Sequence, residues 1–203
     1  LLDREKGGYF GFEVSPDYQI SQSYVPHTNI LSTNFVSEEN EFAVVDFMPC
    51  YHLSDASNCY RPAEIYRYIR RIKGTPRFKI NYEAPDYARG KTIFNTTSEY
   101  IETYSTSNSK DRQYLYSSLP LHNILEQKEI VLAKDEFLLL SYNEKVIPVN
   151  IEREKLEYCR TLVYWLNWTD RTKKFTVYND IIERSLLVLK LMSFYNGAVL
   201  AAI

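Results

Sequence analysis

Between about residues 9 and 142, apolar and polar positions alternate in short runs separated by turn residues. The clearest run sets Phe78, Ile80 and Tyr82 against Arg77, Lys79 and Asn81, a period of two that predicts a half-buried strand. Before it come Lys73-Gly74-Thr75-Pro76 and the run from Ile65 to Ile72, which together read as strand, short turn, strand. Similar runs cover 18–24, 29–36, 42–47, 100–104, 113–118, 129–132 and 137–142. About ten strands at spacings near 8–15 residues, with no helical period between them, predict an antiparallel sandwich.

The period changes at Asn150. Leu156, Cys159, Leu162, Val163 and Leu166 recur at helical spacing, with Asn150 as N-cap and Glu152 and Glu154 in the first turn. This pattern predicts a helix lying on a domain by one apolar stripe, with its acids and bases (Glu152-Arg153-Glu154-Lys155) on a solvated face. A second helix is predicted from Asp180, with Glu183 three residues on completing a capping box. Ile181, Ile182, Leu186, Leu187, Val188, Leu189, Leu191 and Met192 make it apolar on nearly every side. A sandwich can cover one side of such a helix, so the remaining cover is expected from elements outside this chain. The chain opens at Leu1 without methionine and closes in an apolar run from Gly197 to Ile203, so it is expected to be a piece of something longer.

Composition changes this picture little. The 203 residues carry 24 Lys+Arg against 26 Asp+Glu, a formal net charge of -2, which offers no electrostatic footprint for nucleic acid or an anionic membrane. Eighteen Tyr and ten Phe reinforce the sheet reading. No signal peptide opens the chain and no run of about 18 apolar residues could span a bilayer, so a soluble, cytoplasmic protein is expected.

Candidate chemistry is sparse. His27, His52 and His122 stand singly, away from any metal-ligand spacing, and with six glycines there is no phosphate-cradling loop, so no cofactor or metal is expected. Cys50 and Cys59 could bridge, but inert, partly buried thiols are the simpler reading. No pair of acids recommends itself for glycoside chemistry, which needs two carboxyl groups across the scissile bond. The stretch from Tyr60 to Arg71 mixes bases with aromatics, as single-strand binders do; a strand packing its Arg and Tyr stems across one face explains it more simply. Tyr164, Trp165 and Trp168 form the densest aromatic cluster. They could stack on sugar rings, but the preferred reading is that they anchor the first helix to a neighbouring domain.

Several segments together resemble glycoside hydrolase family 15 in its prokaryotic form, the glucoamylase and trehalase-like enzymes. They are Gly7-Gly8-Tyr9-Phe10, the run from Tyr24 to Thr33 (YVPHTNILST), Asp46-Phe47-Met48-Pro49, Arg70-Arg71-Ile72-Lys73-Gly74 and Pro85-Asp86-Tyr87-Ala88-Arg89. Trp165-Leu166-Asn167-Trp168 and the stretch from Arg184 to Leu191, followed by Gly197 to Ala202, complete the series in the family's order. The resemblance implies a β-supersandwich at 1–149, a linker helix at 150–174 and, at 175–203, the first helix of an α/α-barrel catalytic domain. It implies hydrolysis of α-glucosidic bonds of starch-type glucans or trehalose with inversion. Two barrel glutamates would carry that chemistry beyond Ile203, and no catalytic position falls on this chain. Tyr164, Trp165, Trp168, Arg184 and Leu187 are then the candidates for a domain interface. The expected partners are the chain's own barrel, the parent's glucan or trehalose substrate and, for the chain in isolation, a second copy through the exposed second helix. A carbohydrate-binding module that captures α-glucan on exposed aromatics is the alternative.

Overall fold

A computed structural model describes residues 7–53, 59–84, 91–146, 149–194 and 197–200. In chain order the strands are β1 (Tyr9–Glu13), β2 (Gln19–Tyr24), β3 (Leu31–Val36), β4 (Glu41–Phe47), β5 (Tyr51–His52) and β6 (Cys59–Tyr60). They continue as β7 (Glu64–Lys73), β8 (Arg77–Glu83), β9 (Thr92–Thr96), β10 (Tyr100–Ser105), β11 (Asn108–Ser117), β12 (Ile130–Val131) and β13 (Glu136–Tyr142). The helices are α1 (Leu121–Leu125), α2 (Ile151–Asp170) and α3 (Asn179–Leu191). The chain is mainly β, with antiparallel sheets followed by α2 and α3, as its periodicity predicts.

Eight strands form one antiparallel sheet in the order β2-β3-β4-β7-β13-β11-β10-β9, and three form a second sheet, β1-β8-β12. Phe42 and Val44 of β4, Ile69 of β7 and Leu138 of β13 face Phe78 and Ile80 of β8 across a core that also takes Leu121 and Ile124 of α1. The opposite face of the large sheet, with Val45, Phe47, Tyr66, Tyr68, Phe137 and Leu139, packs against α2. Strand β4 is thus covered on both sides, which is why Phe42-Ala43-Val44-Val45 is an unbroken apolar run instead of an alternating one. β8 borders solvent on its outer face and alternates as predicted, with Phe78, Ile80 and Tyr82 buried. The outermost strands β2 and β9 bury none of their side chains.

The strand-turn-strand unit around Gly74 is a corner between sheets and not a hairpin. β7 pairs with β4 and β13, whereas β8 leaves for the small sheet and pairs with β1 and β12. Gly74 has φ +69°, and a Cβ there would run into the Glu39 carbonyl oxygen and the Asn40 side chain. The corner is held on the β3–β4 turn by Thr75 N–H donating to Asn40 Oδ1 (2.7 Å) and Lys73 Nζ donating to the Glu38 carbonyl (2.7 Å).

Asn150 caps α2 as expected, its Oδ1 accepting from Arg153 N–H at 2.8 Å. The helix is rotated, however, relative to the sequence expectation. Glu154, Glu157, Thr161, Tyr164, Trp165 and Thr169 form its buried side, while Leu156, Val163 and Leu166 are exposed, Val163 by 55 %. At 100° per residue these two sets lie on opposite sides of the helix. Most of the predicted stripe therefore faces away from the sandwich, with Leu162 alone of its aliphatic residues packed against the core, and Glu154, expected on a solvated face, is only 1 % exposed. Periodicity identifies two faces of a helix but not which of them a given neighbour covers.

α3 departs from expectation at its start. Tyr178, in the left-handed region at φ 59°, holds the N-cap position without a side-chain cap, so Asp180 and Glu183 form no capping box. The signature at 85–89 and the end of the apolar run at 201–203 lie outside the described residues. Among the described residues, no helix is long and apolar enough to cross a membrane.

Candidate domain-docking site

The turn between β2 and β3 fastens both long helices to the sandwich. Its shape is set locally: Val25 N–H donates to the Ile30 carbonyl (2.8 Å), and Thr28 N–H and Oγ1 both donate to the Val25 carbonyl (3.1 and 2.8 Å). Ile30 N–H returns a bond to Thr28 Oγ1 (3.0 Å), and His27 takes the left-handed conformation at φ 64°. The tightened turn presents three groups outward. His27 Nδ1 lies 2.6 Å from Glu183 Oε1 of α3. Asn29 Nδ2 donates to the Leu187 carbonyl (3.0 Å), and the His27 carbonyl accepts from Thr169 Oγ1 of α2 (3.3 Å).

Arg184 completes the clasp. Its guanidinium donates to the Thr28 carbonyl (2.9 Å) and to Asn29 Oδ1, and it sits 3.9 Å from the centroid of the Tyr24 ring. A planar fork over an aromatic face is a geometry that lysine could not reproduce. Glu183 also receives Lys174 Nζ at 3.3 Å. Burial works to raise its pKa, but the bonds from His27 and Lys174 outweigh it and hold the carboxyl below its ordinary value. Leu187, one turn on, is 2 % exposed and enters the core beneath α2.

A second cluster joins α2 to the β5–β6 ribbon. Arg61 Nη2 donates to Tyr164 OH (3.0 Å), Arg61 Nη1 to the Ser193 carbonyl (3.3 Å), and Cys50 N–H to Thr161 Oγ1 (3.3 Å). Tyr51 OH donates to Glu157 Oε1 at 3.2 Å; burial first, and then this carboxylate, push the Tyr51 phenol up to about 12. Tyr164 and Trp165 meet edge to face at 5.1 Å, as do Trp165 and Trp168 at 6.3 Å. Beside α2 runs a groove of about 610 Å³ lined by Tyr51, His52, Arg160, Tyr164, Trp168 and Arg171, among others.

All five candidates named from sequence, Tyr164, Trp165, Trp168, Arg184 and Leu187, thus lie where α2 and α3 meet the sandwich. Tyr164 and Trp165 are buried and offer no face to a sugar ring; Trp168 is half-buried at the groove. Sequence reasoning missed Glu183, His27, Asn29 and Arg61 as docking residues. The run from Tyr24 to Thr33 marked His27 and Asn29 as part of a pattern, but nothing local pointed to helices more than 130 residues away. The mixed stretch from Tyr60 to Arg71 packs its side chains as a strand does: Arg67 lies 4.2 Å from the Phe10 ring centroid and 3.2 Å from Asp46 Oδ1. Among the described residues, no group of three His, Cys, Asp or Glu is placed to hold a metal ion.

No family model matches the chain, and no solved structure matches it. Among curated proteins it is similar to Trehalase 2 of Sulfolobus acidocaldarius, with 24% identity over 213 residues. The match takes in 100% of this chain and 34% of the relative, so the chain spans about a third of the length of the protein it matches. The likeness is weak and reaches no further than a relative among the glycoside hydrolases.

Proposed function

We propose that this chain is the N-terminal, non-catalytic β-sandwich domain of a glucoamylase- or trehalase-type glycoside hydrolase. Residues 1–149 are the sandwich, 150–174 the linker helix, and 175–203 open an α/α-barrel catalytic domain. Hydrolysis of α-glucosidic bonds in starch-type glucans or trehalose, with inversion, rests on barrel residues beyond this chain.

The observation that carries this reading is the orientation of α2. It binds the sandwich through carboxyl, hydroxyl and aromatic groups and turns Leu156, Val163 and Leu166 outward. α3 is likewise held by one side, through Glu183, Arg184 and Leu187, and leaves Ile181, Val188, Leu189 and Leu191 exposed. Burying aliphatic side chains of this size stabilises by about 1.5–3 kcal/mol each, so helices presenting them outward are suited to receive further helices. The match to one third of a trehalase agrees with a chain that supplies one part of such an enzyme.

Two experiments test it. The reading frame downstream of Ile203 is expected to encode helical hairpins with two well-separated glutamates; any other fold there overturns the proposal. Calorimetry of the isolated chain with maltooligosaccharides is expected to give no heat of binding. Millimolar or tighter binding would make the chain a carbohydrate-binding module instead.

A further inference from the structure

We propose that Cys50 and Cys59 are a reversible dithiol–disulfide pair that closes when the chain meets a small-molecule disulfide such as oxidised glutathione. Both thiols are free, and their sulfurs lie 4.0 Å apart. β5 and β6 pair Tyr51 with Tyr60 and His52 with Cys59. One further step in that register brings Cys50 opposite Arg61, so the two cysteines sit diagonally on one face of the ribbon. A disulfide needs the sulfurs at about 2.05 Å, so they must close by about 2 Å. Among the described residues the ribbon pairs two residues on each strand, and it can take up such a shift.

The surroundings give the two sulfurs different tasks. Cys59 is half-buried, receives Arg61 Nε on its sulfur at 3.2 Å, and is the sulfur that an external disulfide can reach. Cys50 is buried; burial and the neighbouring Cys59 push its thiol up to about 11, against a smaller opposing pull from Arg61. Cys59, the more accessible of the two sulfurs, therefore attacks first on one sulfur of the oxidant. This forms a mixed disulfide and expels one thiolate, which takes up the Cys59 proton. Cys50 then attacks the Cys59 sulfur and breaks the bond to the second oxidant sulfur. The Cys50 proton passes to the leaving thiolate. In sum, two cysteine thiols and one oxidised disulfide become one internal disulfide and two free small-molecule thiols. Arg61 links this pair to the helices through Tyr164 and the Ser193 carbonyl, so closure stiffens the ribbon at the point where it holds α2.

The test uses the full chain carrying Cys159→Ser, which removes the exposed third thiol. After oxidised glutathione, intact mass is expected to fall by two hydrogens with no adduct, and both thiols resist alkylation until dithiothreitol is added. In a chain that also carries Cys50→Ser, glutathione is expected to remain on Cys59. Peptide mapping of the unsubstituted chain provides the same readout should a variant fold poorly, with a 50–59 crosslink expected. Two thiols that stay open to alkylation, or that each carry glutathione separately, would overturn the proposal.

Discussion

Replacing Glu154 isolates what it costs to seat α2 on the sheet through a carboxyl group. Glu154 is buried, and among the described residues neither of its carboxyl oxygens has a hydrogen-bond partner. Burial, and secondarily the charge of Asp46, raise its pKa well above the ordinary carboxylate value of 4.5. In the unfolded chain the group ionises near that ordinary value; in the folded chain it stays protonated to higher pH. Between the two, the unfolded state binds fewer protons, so stability falls as pH rises, by about 1.4 kcal/mol per pH unit from this one group. Its contribution is intact below the ordinary carboxylate range and is lost on the way up to the folded value. Glu154→Leu removes both the proton linkage and an unsatisfied polar group that costs about 1–3 kcal/mol. Glu154→Gln removes the linkage but leaves an unsatisfied amide. Glu64, also raised by burial, and Glu183 and Glu102, held low by their partners, are common to all three chains and largely cancel in the differences, whereas Asp46 acts on Glu154 directly and is part of what the substitutions remove. Urea melts followed by circular dichroism from pH 4 to 8 are expected to show both variants gaining on the native chain as pH rises. The leucine variant should stand higher throughout. Parallel pH profiles, or an equal loss of stability at every pH, would refute the assignment of Glu154 as a buried, uncharged acid.

The clasp on α3 and the exposed side opposite it are each open to test. Arg184→Ala is expected to cost about 2 kcal/mol through its lost charged hydrogen bonds, and Leu187→Ala about 2–4 kcal/mol through the cavity it leaves. Hydrogen exchange should accelerate across 179–191 while the sandwich strands stay protected. Glu183→Gln acts with the opposite pH sign to Glu154. Because His27 and Lys174 hold the folded carboxyl low, its stabilisation is present above the ordinary carboxylate range and fades as pH falls through the folded value, so melts of the variant should lose that acid limb. The isolated chain is expected to self-associate through the outer side of α3, and Ile181→Lys with Leu189→Lys to return it to monomer in sedimentation.

The strands that read plainly in the sequence are those whose neighbours enforce a simple rule. β8 alternates because one of its faces is wet, and β4 is solidly apolar because both faces are dry. Asn150 was legible because a cap is a contact between residues three apart. α1 was not, since five residues give one i, i+3 pair, Leu121 and Ile124, and no period. The two-residue strands β5 and β6 were equally silent. The larger misreadings concern the site. The spacing of Asp180 and Glu183 fits a capping box, but the real partner of Glu183 is His27, 156 residues away, and only tertiary structure brings them together. The stripe from Leu156 to Leu166 is apolar, yet only Leu162 of its aliphatic residues packs on the core, and Leu156, Val163 and Leu166 point outward. A period cannot say that the sheet takes the side bearing Glu154, Thr161 and Trp165 instead. Tyr164 and Trp165 are buried, as the size of their rings argues.

If the groups that cleave sugar lie outside these residues, as proposed, the purified 203-residue chain releases no glucose above buffer from trehalose or from maltose. Sustained glucose release from either sugar would place the chemistry on this chain and overturn the proposal.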